Sequence, residues 1–166
     1  MDLLQITLTL TTLLCSLVAG FVLAFAIVVM PGIRSLNDRD FLFTFKVIDR
    51  VIQQQQPIFV LVWLGSILGL VTATLLGIVQ FDGVNRLLVS IAAAIYLLGV
   101  QLPTFTINVP LNNQLQMLQL DTMNDLALGK ARMNFEKSWI RWNTFRTHIP
   151  HPNCHRGVFT ENFLCS

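Results

Sequence analysis

Charge is what this sequence has least of. Eleven Lys and Arg and nine Asp and Glu make up only 12% of its 166 residues, about half the share of an ordinary soluble domain. Between Leu3 and Ile33 there is no charged residue at all. None of the acidic residues falls within a long apolar run. That removes a paired-carboxylate site inside a bundle, and it removes the intramembrane ionisable residue that a proton or ion pump needs. A Gly-rich phosphate loop, a Ser/His/Asp arrangement and a haem-attachment motif are also absent. The three cysteines, one of them Cys15 in the first apolar run, do not make a disulfide framework. A net charge of +2 is too small to argue for a nucleic-acid partner.

Hydrophobic residues, by contrast, make up 54% of the chain, and its mean hydropathy is +0.63. The charge-free first run is roughly 40 Å long at ~1.5 Å per residue, more than a bilayer core of ~30 Å requires. It starts with Asp2 rather than a basic segment, and its apolar core is long, so a retained span is expected over residues 3–30 and not a cleaved leader. A second span is expected over residues 58–79, after Pro57, and a third over 87–109, containing Tyr96, Gln101 and Pro103. The Asp82-Gly83 turn joins them as a hairpin. The chain therefore reads as a single all-α domain over residues 1–147, a membrane bundle of three transmembrane helices with additional amphipathic helices, followed by a loose tail over 148–166.

The basic residues are distributed ten to one. Arg34, Arg39, Lys46 and Arg50 lie between spans one and two, and six more follow span three, leaving Arg86 alone on the other face. The positive-inside rule then puts the N-terminus outside and the tail in the cytoplasm, with the cell membrane as the expected setting. Amphipathic helices are expected over residues 37–56, 110–120 and 126–147. In the first, Phe41, Phe45, Ile48 and Ile52 share a face and Phe43 projects among the charges without explanation. In the last, Leu128, Ala131, Phe135, Trp139 and Trp142 form a stripe opposite Lys130, Lys137 and Arg141, the pattern of a helix lying in the interface.

Three groups of residues invite a functional reading. Gln101, Thr104, Asn108 and Asn112 share a face of the third span. They either line a polar pocket or tie helices together and satisfy backbone groups freed by Pro103 and Pro110. Asn143 and Arg146 stand on or beside the Trp139 face, where Arg146 either binds an anion near the indoles or snorkels to headgroups. In span two, Gly65, Gly69, Ala73 and Gly77 recur every four residues, including a literal GxxxG, and make a smooth face for close helix packing. Its partner is span one, span three, a second copy or another membrane protein. Gln5, Thr9, Thr12, Ser16 and Gly20 form a similar line on span one. The tail cluster His148, His151, Cys154 and His155 has the ligand types for a soft metal but no zinc spacing, and no metal site is expected.

Several of these elements come in an order that resembles a known family. Met30-Pro31-Gly32 is followed by the Phe-rich helix and Pro57-Ile-Phe, then by Thr106-Ile-Asn-Val-Pro-Leu-Asn-Asn and Trp139-Ile-Arg-Trp-Asn-Thr-Phe-Arg-Thr. This resembles the anthrone oxygenase-like family of small integral membrane proteins, most of them without known function, over roughly residues 14–147. The resemblance implies a four-helix bundle and, for some members, oxidation of an anthrone to an anthraquinone without metal or flavin, so no cofactor is expected. In this chain His148-Ile-Pro-His-Pro-Asn-Cys-His stands where the family's fourth span usually begins, and three spans are expected. The implied activity is cofactor-independent oxygenation of an anthrone- or quinol-like ring compound. Asn108, Asn112 and Arg146 would donate hydrogen bonds to the developing oxyanion, and Gln101, Thr104, Trp139, Trp142 and Asn143 would line the ligand site. The alternative is a non-enzymatic accessory protein associating through the small-residue face of span two. In either case lipids are the expected surroundings.

Overall fold

The computed structural model describes residues 2–147. The tail expected over residues 148–166, with its His148, His151, Cys154 and His155 cluster, lies outside the described residues. Five long helices account for most of the rest: α1, Leu3–Arg34; α2, Asp38–Gln53; α3, Pro57–Gln80; α4, Gly83–Met117; and α5, Asp125–Thr147. A single 3-10 turn, Leu120–Thr122, precedes α5. Among the described residues no strand occurs, and α1, α3 and α4 are each long and apolar enough to cross a membrane.

Local chemistry sets the ends of these helices. Asp2 caps α1, accepting from the Gln5 backbone N–H while the Gln5 side chain returns a bond to the Asp2 N–H. Asn37 caps α2 through the Asp40 N–H, and Pro57 opens α3, where its missing N–H costs nothing. Gly83, at φ +50°, supplies the left-handed residue for the turn into α4.

Three internal prolines do not break their helices. Wide π-type turns at Phe25–Val29, Ile95–Gln101 and Thr104–Asn108 stand just ahead of Pro31, Pro103 and Pro110. A proline lacks its N–H and crowds the carbonyl one turn back. Widening the turn keeps neighbouring donors bonded: the Met30, Leu102 and Val109 N–H groups each reach the carbonyl five residues earlier. The segment expected as a separate helix from residue 110 is consequently the continuation of α4 to Met117.

α1 and α3 pack along their lengths, and α3 packs on the first part of α4 beside the hairpin turn. The small-residue face of α3 is used within the chain. A Cβ added at Gly65 would lie 3.1 Å from Leu14, one at Gly69 2.7 Å from Thr11 Oγ1, and one at Gly77 3.1 Å from Val89, while Ala73 is fully buried. Close approach of α1 and α4 therefore covers the surface that the accessory reading gave to an external partner.

At the other end, α2, the end of α4 and α5 form a layer around Phe41, Leu42, Phe45, Leu115, Leu128 and Phe135. Basic side chains lace this layer together. Arg132 donates to the Arg34 and Leu36 carbonyls at the end of α1, pairs with Asp38 and Glu136, and lies 4.4 Å above the Phe41 ring. Arg39 and Lys46 donate to the carbonyls of Leu120, Met123 and Leu118. Phe43 acquires an explanation here: with Val47 and Val51 it forms an exposed apolar row on α2, spaced for one helical face and available to lipid.

α5 does more than lie along an interface. Its buried stripe is Leu128, Phe135, Trp139, Asn143 and Arg146, and its second half runs in beside α1 and α4. The stripe thus turns from apolar to polar as the helix enters the bundle.

Candidate functional site

Where α5 meets α1, α2, α3 and α4 there is a cavity of about 150 Å³. Its wall is aromatic, with Phe21, Phe25, Phe45, Phe59, Trp63 and Trp139 among its lining residues. The rings contact one another in edge, tilted or stacked arrangements, with centroids 5.0 to 6.3 Å apart. Its polar groups are few and gather at two ends.

One end is built around Asp49 on α2, only 3% exposed. Its Oδ1 accepts from Asn112 Nδ2 at 2.7 Å, and its Oδ2 accepts from Gln53 Nε2 at 2.7 Å and Gln116 Nε2 at 2.8 Å. Trp139 Nε1 donates to Asn112 Oδ1 at 3.0 Å. An indole can only donate, so this bond fixes which end of the Asn112 amide faces Asp49. All three bonds run from side-chain amide donors to the carboxylate. Among the described residues no Lys or Arg pairs with it.

The other end is Arg146, 9% exposed. It donates from Nη1 to Thr104 Oγ1 and from Nη2 to Asn143 Oδ1, each at 2.7 Å. Thr104 Oγ1 donates in turn to the Val100 carbonyl at 2.6 Å, and Asn143 Nδ2 donates to the Val22 carbonyl at 3.4 Å. Arg146 Nε has no partner among the described residues, and neither has it a carboxylate within ion-pair distance. Arg146 also borders a second hollow of about 240 Å³ beside Gly20 and Tyr96. Between the two ends sits Asn108, 3% exposed, with both side-chain polar atoms unpaired among the described residues. Burying an amide without partners costs several kcal/mol by analogue transfer, roughly 1–3 in proteins, so the described residues leave the Asn108 amide open to a further partner.

Six of the sequence candidates converge here: Thr104, Asn108, Asn112, Trp139, Asn143 and Arg146 all line the cavity. Gln101 does not. It is buried beside it and accepts from Trp63 Nε1 at 2.9 Å, fixing an indole in the wall. Trp142 also stands apart, half-buried against Phe145 with ring centroids 5.7 Å apart. On α5 the inward positions are taken by Trp139, Asn143 and Arg146, and Trp142 stands at the side of that stripe. Asp49 was missed because it lies outside every apolar run. Its spacing, four residues after Phe45 and three before Ile52, nevertheless put it on the inward face of α2. Among the described residues no cluster of His, Cys, Asp and Glu is arranged to hold a metal.

The two sequence elements Asn108-Val-Pro-Leu-Asn112 and Trp139-Ile-Arg-Trp-Asn-Thr-Phe-Arg146 thus form opposite sides of one cavity. No curated protein and no solved structure matches the chain. The family model for anthrone oxygenase matches residues 45–151, a stretch that carries nearly all of the cavity's polar groups, and the chain belongs to that family.

Proposed function

We propose that the protein binds a flat hydrophobic ring compound with an acidic phenolic or enolisable centre, and oxygenates it without a cofactor. The observation that carries this reading is the Arg146 guanidinium at the end of an aromatic cavity, with no carboxylate partner among the described residues, beside an Asn108 amide likewise unpaired among them. Loss of a proton from such a compound places negative charge on a ring oxygen. Donors already fixed at that point favour the charged state over the neutral one. Arg146, held by Thr104 and Asn143, and Asn108 are the donors in position; Asn112, turned toward Asp49 and Trp139, has a positioning role.

The cavity's size bears on the substrate. About 150 Å³ is the size of an apolar cavity that admits benzene. A compound with more fused rings enters by displacing side chains at the edge, where Phe105 is half exposed. Phe59 and Phe105 both line the cavity, and a lipid-dissolved substrate would enter past the half-exposed Phe105. By the positive-inside rule, the Asp49 end of the cavity lies toward the cytoplasmic leaflet and the N-terminus outside.

The test is oxygen uptake by the protein in nanodiscs supplied with anthrone. Wild type is expected to exceed empty nanodiscs. Arg146→Gln should lower kcat by about 10²–10³, the usual consequence of removing one oxyanion donor, and Asn108→Ala should lower it measurably with assembly intact. Wild-type uptake equal to that of empty nanodiscs sinks the proposal.

A further inference from the structure

Oxygenation of a carbon acid needs a group to take the proton, and the proposed function leaves one buried titratable residue of the cavity unused. We infer that Asp49 is the general base, acting twice on the same carbon; this rests on the oxygenase reading of the cavity. Asp49 lines the cavity, is 3% exposed and has no cationic partner among the described residues. Its two oxygens differ. Oδ2 accepts from both Gln53 and Gln116, whereas Oδ1 accepts only from Asn112. Oδ1 therefore keeps a lone pair for a substrate proton, and the amides hold the carboxylate still while it acts.

Asp49 and Arg146 both line the cavity, so a compound that carries an acidic CH₂ carbon across one six-membered ring from a ketone oxygen would be held with the CH₂ at Asp49 and the oxygen at Arg146.

The steps balance as follows. Asp49 takes one proton from the CH₂, and the C–H electron pair becomes an enolate whose oxygen faces Arg146. The carbanion carbon reduces dioxygen, the oxidant, forming a C–O bond, and the proton on Asp49 passes to the terminal oxygen to give a hydroperoxide. Asp49 then removes the second hydrogen from that carbon. The C–H pair forms the C=O bond, the O–O bond breaks, and the departing hydroxide takes the proton from Asp49 as water. One CH₂ and one dioxygen become one ketone and one water, and the carboxylate is restored.

Proton removal can be observed without oxygen. Under anaerobic conditions in D₂O, nanodisc-embedded wild type should speed hydrogen–deuterium exchange at the CH₂ of anthrone above the rate with empty nanodiscs. Asp49→Asn should lose at least 100-fold of that acceleration, as expected for a lost general base. It should still bind anthrone, read as quenching of the tryptophans that line the cavity. Asp49→Ala provides a second route, since formate entering the vacated space should restore exchange and chloride should not. Exchange at the wild-type rate in Asp49→Asn, or no formate rescue in a folded Asp49→Ala, overturns the assignment of the base while leaving oxygenation standing. Absence of anthrone quenching in wild type would instead overturn the cavity reading on which it rests.

Discussion

At the scale of single residues, the site depends on side chains that aim other side chains. Trp139 orients Asn112, and Asn112 in turn addresses Asp49. Gln101 fixes Trp63, while Thr104 and Asn143 hold Arg146 from two sides. Such chains are cooperative, because removing one member leaves the next free to turn or unpaired in apolar surroundings. The Trp139–Asn112 bond is the one to break, and Trp139→Phe removes the donor while keeping an aromatic, though smaller, ring in the wall. The lost bond should cost about 1 kcal/mol of stability, with a further cost for the volume removed. A double-mutant cycle with Asn112→Ala should give a coupling energy of at least ~0.5 kcal/mol, where independent sites would add within ~0.3–0.5. Purely additive effects would show that the bond does not position Asn112.

At the scale of helices, the long runs without charge were enough to locate α1, α3 and α4, and of the polar residues spaced along α4, Thr104, Asn108 and Asn112 line the cavity while Gln101 stands beside it. Their ends were less legible. Pro31 and Pro110 looked like boundaries, yet each helix runs on through a widened turn, because a broken helix in lipid leaves backbone groups that nothing else can satisfy. Asp49 escaped notice for a related reason. A search for chemistry inside apolar spans does not reach an amphipathic connecting helix that folds back over the cavity. The inward stripe of α5 was half legible: Trp139 belonged to it by period, but only packing decides between Trp142 and Asn143.

The packing of α1 on α3 makes its own prediction. Thr11 Oγ1 has no partner among the described residues and faces Gly69, where an added Cβ would stand 2.7 Å away. Gly69→Leu should therefore destabilise the monomer by about 1–3 kcal/mol through overpacking. Gly69→Ala should be milder, and combining it with Thr11→Ala should recover most of the loss, since that change removes the atom in the way. Mass photometry of the nanodisc particles should show the same stoichiometry for all three. A change in stoichiometry with Gly69→Leu would mean that the face also serves association between chains.

For the whole molecule, the same basic residues that bias orientation also build the layer that closes the cavity. Arg39, Lys46 and Arg132 reach across from α2 and α5 to carbonyl groups at helix ends, where a positive charge complements the exposed backbone dipole. Moving that layer across a membrane would expose every one of these cations to the hydrocarbon, so fold and topology are expected to be decided together. In a background with its cysteines replaced by serine, Asn85→Cys beside the hairpin turn and Arg50→Cys on α2 place single thiols at opposite ends, both at exposed positions. A membrane-impermeant maleimide should label Asn85→Cys in intact cells, and Arg50→Cys only after permeabilisation. The reverse pattern would invert the bundle. It would put the Asp49 end of the cavity beneath the outer leaflet, and any substrate would then have to be sought among compounds that reach the protein from outside.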